Sequence, residues 1–335
     1  RSIRPPDKAT AFDLHMLHRD GQDHLRLRRL VSDFFSLQSL RRLEPRMRTV
    51  ARELVREVRQ ARQADLIAKL AEPMPLRLIA ELIGVPQEDM PLVRTWSLVL
   101  GEGFDSVRMS SDLRARQADA MLGFLEYLRG LIEDRRHAPD HGLLSFLVEA
   151  EQDGHLSEDE LLAMAGLLLF AGHETTVSLI GNGLWLLLAH PEQWQLLQRE
   201  PGLIPSAVEE ILRYESPEQR TSFRMVIEPM DIEGRRMEPG QQVSIIIGAA
   251  NRDAAEFENP EIFDVRRSPN RHLAFGSGIH NCLGKTLARL EARIAIAAVL
   301  EELPTLRLMD ALPVWRENSF FRGLSSLWVE TDAST

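Results

Sequence analysis

Phe275-Gly276-Ser277-Gly278-Ile279-His280-Asn281-Cys282-Leu283-Gly284 carries the one cysteine of a 335-residue chain and sets it in a glycine-rich loop. Cys282 therefore has no intrachain disulfide partner. Gly276, Gly278 and Gly284 free the backbone for unusual torsions and for lying close against something flat, and Phe275 is placed to shield a sulfur from water. Downstream, Leu283, Leu287, Leu290, Ile294 and Ala298 follow helical spacing, which puts Cys282 just before or at a helix N-terminus, where backbone N–H groups favour an anionic sulfur. A lone cysteine is ordinarily a small buried hydrophobe. These surroundings argue instead for a metal-bound thiolate. A phosphate-binding glycine loop fails on spacing, because its third glycine would fall at position 281, which is Asn281. Zinc fails because no second cysteine exists and no His-x-x-x-His pair accompanies the loop, and c-type haem attachment would need Cys-x-x-Cys-His. A single thiolate remains able to hold haem iron as an axial ligand.

A second segment, Ala171-Gly172-His173-Glu174-Thr175-Thr176, interrupts an apolar helix expected to open at the capping box Ser157-Glu158-Asp159-Glu160 and to stop at His190-Pro191. Apolar runs flank it on both sides, Leu167 to Phe170 and Val177 to Ile180. A surface turn is therefore disfavoured. Buried polar groups are costly unless hydrogen-bonded, so an acid and an alcohol there imply proton handling or a stabilised local distortion. His173 reads as a satisfied helix histidine, not a ligand.

The loop matches Phe-x-x-Gly-x-x-x-Cys-x-Gly from Phe275 to Gly284, and here the chain resembles the cytochrome P-450 family. The resemblance extends over essentially the whole chain. It implies that Cys282 is the proximal ligand of haem b, and that Phe275, Gly276 and Gly284 belong to the cofactor loop. It also implies that Ala171 and Gly172 lie at the oxygen-binding kink, with Gly172 leaving room for the oxygen. Glu174 and Thr175 would then be the acid and alcohol that supply protons for oxygen activation.

In Glu210-Ile211-Leu212-Arg213 a carboxylate and a guanidinium share one helix face, and Ser206-Ala207-Val208-Glu209 reads as a capping box that leaves Glu210 free for another partner. The resemblance places that partner at Arg267, in Phe263-Asp264-Val265-Arg266-Arg267, completing a structural network with Arg213. It further implies that His24, Arg28, Arg224 and His280 meet the haem propionates. Asp20-Gly21-Gln22-Asp23 replaces the family's usual Asp-Pro-Pro before His24, so the entry to that helix is expected to differ.

At 44% hydrophobic and 27% charged residues the chain can build a large core and is not extensively disordered. No repeat, low-complexity tract or long linker divides it, so residues 1–335 are expected to form one domain. Helical periodicity runs to about Tyr214, with loops around Pro73-Met74-Pro75, Pro86 and residues 134–144. Strand-like runs follow at Val243 to Ile247, Leu306 to Leu308 and Ser326 to Val329. The fold class is mainly α with small β-sheets, an α+β arrangement. Against the family, the chain begins late, at a Pro-rich stretch, so a helix and most of one sheet are expected to be missing. The longest apolar helix is interrupted by His173-Glu174, which argues against a membrane span, and a cytoplasmic location is expected.

A net charge of −10 excludes nonspecific nucleic-acid binding. The charge is uneven: residues 1–62 hold fifteen Arg/Lys against eight Asp/Glu, a surplus of seven positive charges. In the family the helix bearing Arg26 and Arg29 faces an acidic electron donor, so a ferredoxin-type partner is implied. The resemblance thus implies a haem-thiolate monooxygenase acting on a hydrophobic small molecule of secondary metabolism. Its pocket would draw on residues 168–171 and 217–220 and on Phe320 and Phe321, where Glu218 and Arg220 either bind a polar substrate or face each other. A peroxide-driven oxygenase and a gas-binding protein are the rival classes, and the acid–alcohol pair disfavours the second.

Overall fold

A computed structural model describes residues 11–105, 110–309 and 312–332. The Pro-rich opening stretch, residues 1–10, lies outside them. The helices are α1 Gly21–Ser32, α2 Leu37–Arg59, α3 Pro73–Ile83, α4 Met90–Glu102, α5 Ser111–His137, α6 Leu143–Gln152, α7 Glu158–Ala171, α8 Glu174–Ala189, α9 Pro191–Arg199, α10 Ile204–Tyr214, α11 Ile247–Ala250 and α12 Lys285–Glu302. Among the described residues, nine strands of two or three residues make up the sheets. These are β1 Gln63–Asp65, β2 Arg224–Met225, β3 Met230–Ile232, β4 Arg235–Met237, β5 Gln242–Val243, β6 Arg307–Leu308, β7 Val314–Trp315, β8 Leu324–Ser326 and β9 Trp328–Glu330. They form an antiparallel sheet β1-β9-β6 and the pairs β2-β5, β3-β4 and β7-β8. This is the mainly α architecture with small sheets that the sequence implies.

One continuous cluster of buried apolar residues runs from Met16 to Val329. At its centre α8 is buried at every position from Thr176 to Leu184, α10 and α12 pack against it, and α2 packs against α12. A methyl group on Gly183 would come within 2.9 Å of Ile211 Cδ1, so α8 and α10 approach more closely than a side chain permits. The capping box at Ser157 and Glu160 forms as expected and starts α7. The α7–α8 run, Glu158–Ala189, is long and apolar enough to cross a membrane by length and composition, but 83% of its most apolar window is buried inside the fold. Its apolarity serves the core, and the polar break at His173 is not what disqualifies it.

Several local expectations are corrected. Pro73 opens α3 instead of a loop, since a proline at the first turn forfeits no helical hydrogen bond. The loop placed at 134–144 shrinks to 138–142, because α5 continues to His137. Of Val243 to Ile247 only Val243 is in a strand, and Ile247 begins α11. Ser206 is no cap: α10 starts at Ile204, and the Ser206 hydroxyl donates to the carbonyls of Leu203 and Val265.

Candidate functional site

Gly276 (φ +65°) and Gly278 (φ +72°) occupy the left-handed region that L side chains avoid, and an added Cβ at either would meet nothing within 4 Å. The loop therefore needs glycine for torsion and presents an uncrowded surface. Gly284 has an ordinary φ of −80° and serves as the N-cap of α12, so the freedom expected of it is not used. The Cys282 N–H donates to the Phe275 carbonyl at 2.9 Å, and Asn281 Nδ2 donates to the carbonyls of Phe275 and Gly276, which closes the loop on itself. The Phe275 ring lies 4.4 Å beneath the Arg289 guanidinium.

Cys282 stands just ahead of the N-cap of α12, as its spacing predicts, yet the electrostatic outcome differs from the expectation. Burial, with Glu218 adding to it, pushes the thiol up to about 11, although the Gly284 N–H, Arg28 and Arg289 pull the other way. Desolvation thus outweighs the helix terminus. A cation bound to the sulfur would favour its anionic form.

Three of the four predicted anion-binding residues come together beside this loop. His24 is buried, with its ring 4.3 Å from that of His280, and its Nδ1 has no hydrogen-bond partner among the described residues. Arg28 donates to the Asn281 carbonyl at 2.7 Å. His280 Nε2 pairs with Asp20 at 2.9 Å, so the altered entry to α1 supplies a carboxylate that holds the imidazole. Arg224 is exposed on β2, opposite Val243, and among the described residues no hydrogen bond or ion pair joins it to the other three.

Between α7 and α8 the helix breaks at Gly172 and His173. Leu161 through Phe170 are buried, but Ala171 at the end of α7 is exposed and Thr175 at the start of α8 is half-buried, so the break is open to solvent. At Gly172 a Cβ would fall 2.7 Å from Ile79 Cγ1 and 2.8 Å from the Leu168 carbonyl oxygen, so the approach of α3 by itself requires glycine here. His173 is buried and held neutral, pushed down to about 4 by burial with Arg316 and Arg94 nearby. Its Nδ1 lacks a partner among the described residues, which corrects the reading of a satisfied helix histidine.

Glu174 is buried against Arg316, which the sequence gave no reason to single out. Burial raises its carboxyl above the usual range despite that guanidinium. Phe170 stacks on Phe104 at 5.5 Å, and Phe104 also meets Phe320 and Phe321 at 5.2 and 5.5 Å. Both phenylalanines are therefore buried in the same aromatic wall.

Beneath the loop, Glu210 takes Arg213 through both oxygens at 2.8 Å, Arg267 at 3.1 Å and Asn270 at 3.1 Å. Glu210 and Arg213 are fully buried, and the network is the one the resemblance implies. Glu209, expected to cap α10, instead binds Arg289 and His272, which tie α10 to α12 and to the segment before the cysteine loop.

These walls fit haem. Leu273 and Ile279 expose apolar surface near the cysteine, Ala171 does so at the helix break, His24, Arg28 and His280 gather cationic and imidazole groups beside the loop, and Cys282 offers a single sulfur of the kind an axial ligand needs. The family profile described as Cytochrome P-450 matches residues 104–307. The chain belongs to the cytochrome P-450 family. It is 42% identical over 316 residues to the polyketide biosynthesis cytochrome P-450 PksS of Bacillus subtilis (strain 168), covering 93% of this chain and 76% of that protein. It is 41% identical over 324 residues to the cytochrome P-450 monooxygenase PikC of Streptomyces venezuelae, covering 95% and 76%. The crystal structure of CYP109E1 from Bacillus megaterium in complex with testosterone superimposes with a TM-score of 0.94 at 34% identity, over 99% of this chain and 87% of that one. This cytochrome P-450 is accordingly a monooxygenase of the haem-thiolate class, related to bacterial enzymes several of which act in polyketide and secondary-metabolite biosynthesis.

One buried acid of this cytochrome P-450 escaped the sequence reading. Glu291 on α12 is fully buried, neither carboxyl oxygen has a hydrogen-bond partner among the described residues, and burial pushes it from 4.5 up to about 8. Its apolar-looking helical position hid it. Because the folded state holds this proton more tightly than the unfolded chain, its contribution to stability is complete below the unfolded value and is lost as pH rises through the folded one. Between pH 4.5 and about 8 the group should therefore cost up to ~1.4 kcal/mol of stability per pH unit. Glu291→Gln is expected to remove that component. Denaturant midpoints of wild type and variant across this range check it, and parallel pH profiles would contradict it.

Proposed function

We propose that the protein inserts one atom of dioxygen into a hydrophobic small molecule of secondary metabolism and reduces the other atom to water, using haem b. Electrons would come from NAD(P)H through a reductase and a ferredoxin. Haem bound here supplies a redox-active iron at which dioxygen is activated. Cys282 is its thiolate ligand in this reading, while Phe275, Gly276 and Gly284 shape the loop around that sulfur. His24, Arg28, Arg224 and His280 would meet the propionates; the contacts among the other three support their part more directly than the isolated position of Arg224 supports its own. Ala171 and the Phe104, Phe170, Phe320 and Phe321 rings exclude water from an apolar substrate pocket.

The observation that carries the proton-handling part is Thr175. Its hydroxyl makes no hydrogen bond among the described residues. In contrast, Thr49 and Thr95 donate back to the carbonyls four residues earlier, at 3.0 and 2.9 Å. Thr175 is thus free to donate toward the opening that Ala171 lines, and Glu174 behind it can exchange a proton because burial and Arg316 hold its carboxyl between opposing influences. Thr175→Ala is expected to retain haem, substrate binding and NAD(P)H consumption while product formed per NAD(P)H oxidised drops about tenfold or more, the remainder appearing as peroxide. Thr176→Ala, at the buried neighbouring position, should leave coupling unchanged. Equal coupling in wild type and both variants would remove the role.

The electron donor is read from charge. Arg29 on α1 is exposed, and the surplus of positive charge in residues 1–62 favours an acidic partner, with turnover expected to weaken as salt screens it. Arg26 contributes less than its position implies, since it is spent on Glu160 and the His155 carbonyl, pinning α1 to the start of α7.

A further inference from the structure

The segment after α10 is stitched to the chain around Phe320 and Phe321. Glu218 bridges Phe321 in antiparallel fashion, Gln219 N–H donates to the Phe320 carbonyl at 2.8 Å, and Arg322 N–H donates to the Pro217 carbonyl at 2.8 Å. The backbone position of Glu218 is therefore fixed beside the aromatic wall. Arg220 does not neutralise it: its guanidinium lies 5.1 Å over the Phe320 ring and 5.4 Å over Phe223, and donates to the Phe104 carbonyl.

Glu218 has no hydrogen bond or ion pair among the described residues. The other buried acids on this side of the molecule do: Glu174 has Arg316, Glu210 has Arg213, and Asp105 has Ser319. Glu291 also lacks a partner, but it is sealed in the core, whereas Glu218 keeps part of its surface open. Directly bridged residues project to the same face, so that open surface lies on the side of the Phe321 ring. Burial alone, with no cation near, pushes its carboxyl up to about 7. A carboxylate held rigidly in an apolar wall without a partner is a binding group awaiting one.

We infer that Glu218 selects substrates bearing a cationic nitrogen, which it pairs with at the aromatic wall while their hydrophobic body fills the pocket. This rests on the oxygenase reading above and names the substrate class it takes. Such a substrate supplies the charge that the chain leaves out, and the Phe320 and Phe321 rings beside it are themselves favourable surfaces for a cation. A fatty carboxylate would face like charge at the same point.

The test uses the haem-loaded full chain with three probes of equal length: decyltrimethylammonium, decanoate and decanol. A quaternary ammonium cannot itself ligate iron. Dissociation constants come from the spin-state shift of the Soret band and, independently, from equilibrium dialysis. Wild type is expected to bind the ammonium at least about tenfold tighter than the carboxylate. Glu218→Gln and Glu218→Val should each erase that preference while leaving decanol affinity within about twofold. An ammonium bound no better than the carboxylate by wild type, or a preference that survives in both variants, overturns the inference. The ferrous-carbonyl spectrum of each sample separates the two levels: a red-shifted Soret band in all of them with no charge selectivity sinks only Glu218, whereas its absence from wild type sinks the oxygenase reading and this inference with it.

Discussion

Cys282→Ala is expected to abolish both the red-shifted Soret band of the ferrous-carbonyl complex and all oxygenase turnover. No other cysteine exists in the sequence, and among the described residues no cluster of three His, Cys, Asp or Glu side chains stands ready to hold a metal. His280, two positions away, is engaged by Asp20 and packed against His24, so it is not free to swing in. The loop itself should survive the substitution, because its closure depends on the Cys282 N–H, the Phe275 carbonyl and the Asn281 amide and not on the sulfur. Cys282→His separates ligand identity from haem retention: it is expected to keep some haem but to give an unshifted carbonyl band, since only a thiolate donates enough electron density. A red-shifted band persisting in Cys282→Ala would overturn the assignment of the ligand.

Glu210→Ala should cost roughly 3–5 kcal/mol of folding stability and most of the bound haem, because it strands two guanidiniums in the interior. Arg213 is fully buried and is otherwise held by the carbonyls of Asn251, Pro260 and Ile262 and by the Tyr214 and Phe257 rings. Those acceptors satisfy its donors but leave its charge uncompensated. Arg267→Ala is the milder lesion: that side chain is 12% exposed, and Glu210 would keep Arg213, Asn270 and the Asp264 N–H. Thermal midpoints and haem content should rank wild type above Arg267→Ala above Glu210→Ala. A Glu210→Ala variant with wild-type melting and haem content would show that the network does not hold the loop scaffold.

What the sequence made legible was local or rested on fixed spacing. The left-handed glycines before Cys282, the capping box at Ser157 and Glu160, and the approach of Arg267 to Glu210 follow from short-range torsion or a motif with one geometry. What it hid depends on the tertiary fold. Arg316 reaches Glu174 from 142 positions away, just past a two-residue strand too short to announce itself by alternation. Glu209 looked like a cap because its spacing from Ser206 suited one, but a start at Ile204 moved it inside the helix and left its carboxylate to Arg289 and His272. The crowding at Gly172 is hidden for a related reason: only the tertiary approach of Ile79 shows that no Cβ fits there. At Cys282, finally, the helix terminus was visible in the sequence while the degree of burial that outweighs it was not.

The claim on which the account turns is that this cytochrome P-450 transfers an atom of dioxygen to its substrate. The most direct measurement is mass spectrometry of the product after turnover under isotopically heavy dioxygen in ordinary water, and again under ordinary dioxygen in heavy-oxygen water. The haem-loaded chain, a ferredoxin with its reductase, and a compound that shifts the Soret band supply the reaction. A product carrying one heavy oxygen in the first experiment and none in the second is predicted; a product that draws its oxygen from water, or that forms equally well without dioxygen, would contradict it.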